Sequence, residues 1–328
     1  MSLVIDVHTH MYNHKWLELL RAHGGPDLEV KKSLDSPNTI YFRGASFCVL
    51  EDPHFDYEVR IKSMNAAGVD MAIITMPAPS VFWGGPEHSL KASVTANNAF
   101  AEAQSLYPDR IRWMASLPWQ YPESAVKELE RACEIGAVGV LTLGNINGRH
   151  LTDELFEPIW EAIDKRGLPV LLHPTYPPGT DELGLTQYAM VASIGFMVDT
   201  STAVIRMIGA GFFDRFPNLK LIVAHAGGTL PYLVGRLDQV FEKTKRARIN
   251  IDRPPSEYLR HIYYDAVTYR QESLEMCVQV GGEDRVMYGS DYPFNIGDMV
   301  GCLGRVNTLS APAREKVRGD NAVRIFGL

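Results

Sequence analysis

Val138-Gly139-Val140-Leu141-Thr142-Leu143, then Thr152-Asp153-Glu154-Leu155, then Lys165-Arg166-Gly167-Leu168-Pro169-Val170-Leu171-Leu172-His173 together spell one strand–helix–strand unit. The first and last runs are apolar without polar alternation, the pattern of parallel strands covered on both faces. Between them the Thr152-Asp153 pair caps a helix over 153–166 and places acids in its first turn, where they complement the helix dipole. Gly167 stops that helix, because glycine tolerates the left-handed conformation that follows a helix end.

The same unit recurs in both directions. Strands are predicted at Leu3–Val7, Met71–Met76, Ile111–Ser116, Val138–Leu143, Pro169–Leu172, Leu219–Ala224, Ile262–Tyr264 and Val286–Tyr288. Helices are predicted at Phe55–Ala67, Leu90–Tyr107, Pro122–Ile135, Asp153–Arg166, Thr200–Phe213, Thr229–Lys243, Gln271–Val280 and Pro312–Val317, with Gly68 and Gly136 as further stops. Eight such units predict an α/β protein, a (β/α)8 TIM-like barrel. A doubly wound open sheet is the alternative, but no glycine-rich phosphate turn follows any strand. The span 1–328 reads as a single barrel domain with an insertion at 12–53, where Thr39–Phe42 and Ser46–Leu50 are short strands. A second long stretch, 174–198, follows strand 5. Both leave C-terminal strand ends, the side on which a barrel carries its active site.

Composition narrows the class without naming an activity. In 328 residues, hydrophobic types make up 46% and charged types 22%, values of an ordinary globular protein and not of a disordered chain. With 32 Lys+Arg against 39 Asp+Glu the net charge is −7, which gives no basic field for nucleic acid. Cys48, Cys133, Cys277 and Cys302 form no C-x-x-C pair, so neither a zinc knuckle nor a dithiol redox motif is expected. The N-terminus lacks the basic and apolar regions of a signal peptide. The apolar run 202–213 is too short to span a bilayer and contains Arg206. A cytoplasmic protein that engages neither membrane nor nucleic acid is expected.

The chemistry sits at the strand ends. In the extended segment Asp6-Val7-His8-Thr9-His10, residues two apart face the same side, so His8 and His10 can meet one metal ion. His173 ends the run 169–172, His225 ends 219–224, and Asp291 follows 286–290. Strands 1, 5, 6 and 8 thus each deliver a metal-type residue to one bowl, the imidazole and carboxylate set that suits a catalytic divalent ion. His14, His23, His54, His88, His150 and His261 read as surface or packing residues. Asp265, at the end of strand 7, reads either as a cap or as a support for a metal ligand.

With these residues the chain resembles the amidohydrolase superfamily. Strand 4 carries no lysine, which removes the bridging ligand of two-metal members and implies one metal ion, expected to be zinc, with manganese as the alternative. Ile5-Asp6-Val7-His8-Thr9-His10, His225-Ala226-Gly227-Gly228, Leu233-Val234-Gly235-Arg236-Leu237-Asp238, Arg253-Pro254-Pro255-Ser256-Glu257-Tyr258 and Gly282–Phe294 resemble its aminocarboxymuconate-semialdehyde decarboxylase branch.

The resemblance implies that His8, His10, His173 and Asp291 hold the metal and that His225 is the catalytic base. It implies that Arg43 binds a substrate carboxylate and that Phe294 lines the pocket. Arg236 would cross a homodimer interface to the partner's site. Asp291 would share proton transfer with His225. The implied function is metal-dependent, non-oxidative decarboxylation of an unsaturated or aromatic carboxylic acid, using metal-bound water and a histidine base. The alternative is a hydrolase of an amide, ester, lactone or carbon–carbon bond, or a hydratase, on the same scaffold. Thr244 and Thr175 depart from that branch, where an arginine and a tryptophan are expected, which leaves the substrate open.

Overall fold

The computed structural model describes residues 3–34 and 36–328. Residues 1, 2 and 35 of the predicted domain and insertion lie outside the described residues. The barrel strands are β1 (Ile5–His10), β2 (Met71–Thr75), β3 (Ile111–Ser116), β4 (Gly139–Leu143), β5 (Pro169–His173), β6 (Lys220–Val223), β7 (Tyr263–Asp265) and β8 (Val286–Met287). They form one eight-stranded sheet in chain order, and every neighbouring pair is parallel. The sheet curls back on itself: Val7 N–H donates to the Tyr288 carbonyl at 3.0 Å and His10 N–H to that of Tyr292 at 2.7 Å. The structure is therefore the predicted barrel. Residues of β1, β2, β4 and β5 are buried throughout, as strands sandwiched between a packed interior and a helical coat must be.

Each strand is followed by a helix on the outside: Tyr57–Ala67, Gly85–Leu106, Pro122–Glu134, Glu157–Arg166, Phe196–Gly209, Leu230–Lys243, Gln271–Gly281 and Met299–Asn307. Gly68 and Gly167 end their helices in the left-handed conformation, at φ 74° and 59°. The last of the eight differs from expectation. It lies at Met299–Asn307, capped by Asp298, which accepts from Gly301 N–H, and the predicted helical stretch 312–317 follows it within Ala311–Glu315 and the turn Lys316–Asp320. Gly301 and Gly304 lower the helical signal of that stretch, so packing and the cap, more than propensity, place it.

The insertion after β1 holds a helix, His14–His23, and a three-stranded antiparallel sheet of Leu28–Lys31, Asn38–Phe42 and Ala45–Leu50. Its second hairpin turns on Arg43 and Gly44, both at positive φ (47° and 80°), the conformation of a tight two-residue turn. After β5, the stretch Val191–Gly209 is long and apolar enough to cross a bilayer by length and composition alone, longer than the predicted 202–213. In the fold it lies against the barrel, where Val204, Met207 and Ile208 are buried in the core.

Candidate metal centre and active site

His8 and His10 leave β1 on the same side, as the two-residue spacing requires, and meet His173 from the end of β5 and Asp291 from just beyond β8. One ligand atom from each of the four lies within 4.8 Å of the others, and all four residues are buried.

The hydrogen bonds behind these rings decide which nitrogen faces inward. His8 Nδ1–H donates to Asp265 Oδ2 at 2.5 Å, and His173 Nδ1–H donates to the Pro174 carbonyl at 2.8 Å. Thr75 gives its hydroxyl proton to the Thr9 carbonyl, so it can only accept from His10 Nδ1–H, at 2.9 Å. Every imidazole thus has its Nδ1 engaged and its Nε2 turned to the centre, the arrangement that orients metal-binding histidines.

His8 Nε2 and His10 Nε2 stand 3.0 Å apart, with Asp291 Oδ1 at 3.1 Å from His10. A positive charge must lie among these atoms. A proton on His8 could serve His10 and Asp291, but it leaves His173 Nε2 buried without a partner. A divalent cation satisfies all four, so the residues fit a metal and form a site for one divalent ion. Burial pushes His10 down to about 3 and His173 well below its ordinary value, which keeps both rings neutral and ready to ligate. Burial lowers His8 too, but the Asp265 charge outweighs it and leaves this ring more basic than an ordinary histidine.

His225 flanks this cluster. Its Nε2 is 3.6 Å from Asp291 Oδ2, the oxygen turned away from His10, and its Nδ1 is buried without a partner. The chain bends sharply here. Residues 225 to 228 all have positive φ (54°, 53°, 81° and 62°). A side chain on Gly227 would strike the Tyr264 ring at 2.8 Å, and one on Gly228 the Met197 carbonyl at 2.8 Å. His225 and Ala226 lack glycine's freedom, and Asp265 holds them by accepting both of their N–H groups at 2.9 Å each. Asp265 therefore orients His8 and fixes the bend under His225. Burial alone would raise its pKa, but the His8 ring and the surrounding donors hold it below the usual carboxylate range.

Two buried groups brace the strands beneath. Asp6 accepts from the Ser290 hydroxyl at 2.5 Å and its N–H at 3.1 Å, and burial pushes its pKa up to about 7. Arg60 is fully buried and donates to Thr9 Oγ1 at 2.7 Å and to the His10 carbonyl.

The cluster opens into a cavity of about 1450 Å³ lined by His173, His225, Asp291 and Phe294. Phe294 packs against His10, ring centroids 5.2 Å apart, as a pocket-lining residue should. Arg43 is not brought to this cavity. At the hairpin tip its side chain is 60% exposed, pairs with Asp27 at 3.4 Å and borders a different depression. The tight turn that its positive φ completes aims it away from the four metal-type residues, and the structure does not bring it to them. Arg236 is exposed on the helix Leu230–Lys243, one turn beyond Tyr232, which lines the cavity mouth. Sequence reasoning missed His54 and Arg60. It left Asp265 undecided, although a carboxylate ending a strand beside three metal-type strand ends was a usable signal.

Residues 5–328 match the family described as amidohydrolase. The chain belongs to that family. It is 31% identical to the 2-amino-3-carboxymuconate-6-semialdehyde decarboxylase of Dictyostelium discoideum, over 100% of this chain and 92% of that protein. It is 30% identical to a gamma-resorcylate decarboxylase of Polaromonas, over 82% and 86% of the two chains. Among solved structures, the 5-carboxyvanillate decarboxylase of Novosphingobium aromaticivorans, complexed with manganese and 4-hydroxy-3-methoxy-5-nitrobenzoic acid, superposes with a TM-score of 0.82. It is 26% identical, covering 100% of this chain and 96% of that one.

Proposed function

We propose that this protein removes CO2 from an aromatic or conjugated unsaturated carboxylic acid without oxidation. It is a metal-dependent carboxy-lyase of the amidohydrolase superfamily. The observation that carries the reading is the convergence of His8, His10, His173 and Asp291, with the orphaned His173 nitrogen, beside a histidine that is not one of the four. The decarboxylase relatives support the choice of reaction.

Three neutral imidazoles and one carboxylate would hold a divalent ion with net positive charge, which binds and polarises the oxygens of an anionic acid. Manganese is favoured by the solved relative and zinc by the imidazole-rich donor set. Phe294 orients the substrate ring against its face. His225, steered by Asp291, delivers a proton to the carbon that bears the carboxylate. The bond from that carbon to the carboxylate then breaks, CO2 leaves, and the electron pair returns to the conjugated system. The sum is one proton consumed and one C–H bond formed for each CO2 released.

A homodimer belongs to the same reading. Tyr232 is 80% exposed beside Arg236, and Tyr188 (88%) and Ile194 (42%) are exposed apolar residues of the stretch after β5. A partner seated there would receive Arg236. The four cysteines are free, in keeping with a reducing compartment such as the cytosol.

The test is to load the protein with manganese or zinc, offer hydroxybenzoates, carboxymuconates and lactones, and measure CO2 against hydrolysed acid. CO2 release that depends on metal supports the reading, and ring-opened acid without CO2 across the panel overturns it. Light scattering checks the dimer.

A further inference from the structure

His54 is expected to be a surface or packing residue; it packs, and it also faces the cavity wall. It lines the cavity, is 1% exposed, and packs on Phe294 with ring centroids 5.2 Å apart. Phe294 lies at the same 5.2 Å from His10. Phe294 thus has both His10 and His54 as ring neighbours, and His54 shares the cavity wall with His173 and Asp291.

The tautomer of His54 is fixed by its own turn. Glu51 N–H donates to His54 Nδ1 at 3.1 Å, capping the short 3-10 turn Asp52–His54, so the ring proton sits on Nε2. That Nε2–H is buried and has no partner. Burial pushes the ring down to about 4, so at neutral pH it is an uncharged donor. Among the described residues lining the cavity there is no lysine or arginine. A buried donor left without an acceptor costs stability unless a ligand supplies one.

We propose that His54 is a specificity-determining, substrate-contacting residue, donating its Nε2–H to an oxygen acceptor on the edge of the substrate ring remote from the metal. The preferred substrate is then an aromatic acid with one carboxylate for the metal and a second oxygen acceptor, such as a methoxy or carbonyl oxygen, elsewhere on the ring. This rests on the decarboxylase reading only in placing the carboxylate at the four-residue metal centre.

The test is binding by calorimetry to the manganese-loaded protein, with benzoate and 3-methoxybenzoate as probes, so that turnover is not needed. One hydrogen bond to the methoxy oxygen predicts roughly three- to tenfold tighter binding of 3-methoxybenzoate than of benzoate. His54→Asn keeps an acceptor for Glu51 N–H, and so the turn, but withdraws the remote donor. It should erase the preference and leave benzoate affinity unchanged. His54→Gln, whose amide reaches the position of Nε2, should restore part of it. An undiminished preference in the folded His54→Asn protein overturns the proposal while leaving the decarboxylase reading intact. If neither acid binds in a metal-dependent way, both fall together.

Discussion

Replacing Asp265 by asparagine changes one atom of a side chain that is not among the four metal-type residues, yet it should weaken the metal centre. Asp265 Oδ1 accepts the N–H groups of Ala226 and Val267, each at 2.9 Å. Oδ2 accepts His225 N–H at 2.9 Å and His8 Nδ1–H at 2.5 Å. An amide must turn its NH2 toward one of these pairs. Facing Oδ1's pair it meets two backbone donors that cannot yield. Facing Oδ2's pair it meets one backbone donor and a ring that can move its proton. The amide nitrogen therefore takes the Oδ2 place, and His8 shifts its proton to Nε2, the atom aimed at the metal. Metal binding must then displace that proton without a carboxylate behind the ring, which predicts a roughly 10–100-fold loss of affinity. The orphaned His225 N–H and the lost charge-assisted bond should cost the metal-free fold roughly 2–4 kcal/mol. Competition against a chromogenic chelator reads the first quantity and urea unfolding of the metal-free protein the second. Metal affinity within about twofold of the unaltered protein would refute the claim that Asp265 sets the His8 tautomer.

His225→Asn should keep the metal and lose about 10²–10⁴-fold in turnover, because asparagine tolerates the left-handed backbone at φ 54° but cannot relay a proton; loss of bound metal in that variant would instead make His225 a ligand. Gly289→Ala introduces a methyl 2.9 Å from the His8 β-carbon and 3.1 Å from that of Asp265, so metal content by elemental analysis should fall although no ligand is removed. His54 has a folded pKa of about 4, below its value of roughly 6.5 in the unfolded chain, so the unfolded state takes up the proton first and stability falls as pH is lowered. Between about pH 7 and pH 5 this one group should cost ~2 kcal/mol. Urea midpoints of the metal-free protein should show that slope reduced in His54→Asn.

The barrel was legible because burial on both faces writes an unmistakable pattern. Val170-Leu171-Leu172 and Ile73-Ile74 have no polar alternation to confuse, and Gly68 and Gly167 punctuate the helices between them. The four metal-type residues were legible for the same reason, since each follows an apolar run and so must lie at a strand end. The rest depends on distance in space that spacing along the chain does not carry. Asp265 is 257 positions from His8, His54 gains its meaning from a turn that fixes its proton, and Arg60 is an arginine on a helix until burial shows what it holds. The place of Arg43 in the loop after β1 does not reveal the two-residue turn that aims it outward.

The metal centre is also the seam of the barrel. β1 and β8 are the ends of the sheet, joined by a few bonds: Thr9 bridges Tyr292, the Thr9 hydroxyl donates to the Tyr292 carbonyl at 3.0 Å, and Ser290 and Asp291 N–H both donate to the His8 carbonyl, at 3.2 and 2.9 Å. Three of the four ligand residues, His8, His10 and Asp291, lie on this seam, and Asp6–Ser290 crosses it one layer down. Arg60 locks the β1 side, with its guanidinium 4.8 Å from the Tyr292 ring centroid. A cation shared by His8, His10 and Asp291 is therefore also a clamp across the joint between the two ends of the sheet. Metal affinity and barrel closure draw on the same free energy, since whatever binds only the closed form stabilises it by an amount that rises with the logarithm of its affinity. Loosening the seam should thus weaken metal binding before it unfolds the helical coat, and removing the metal should loosen β1 against β8 before any other pair of strands.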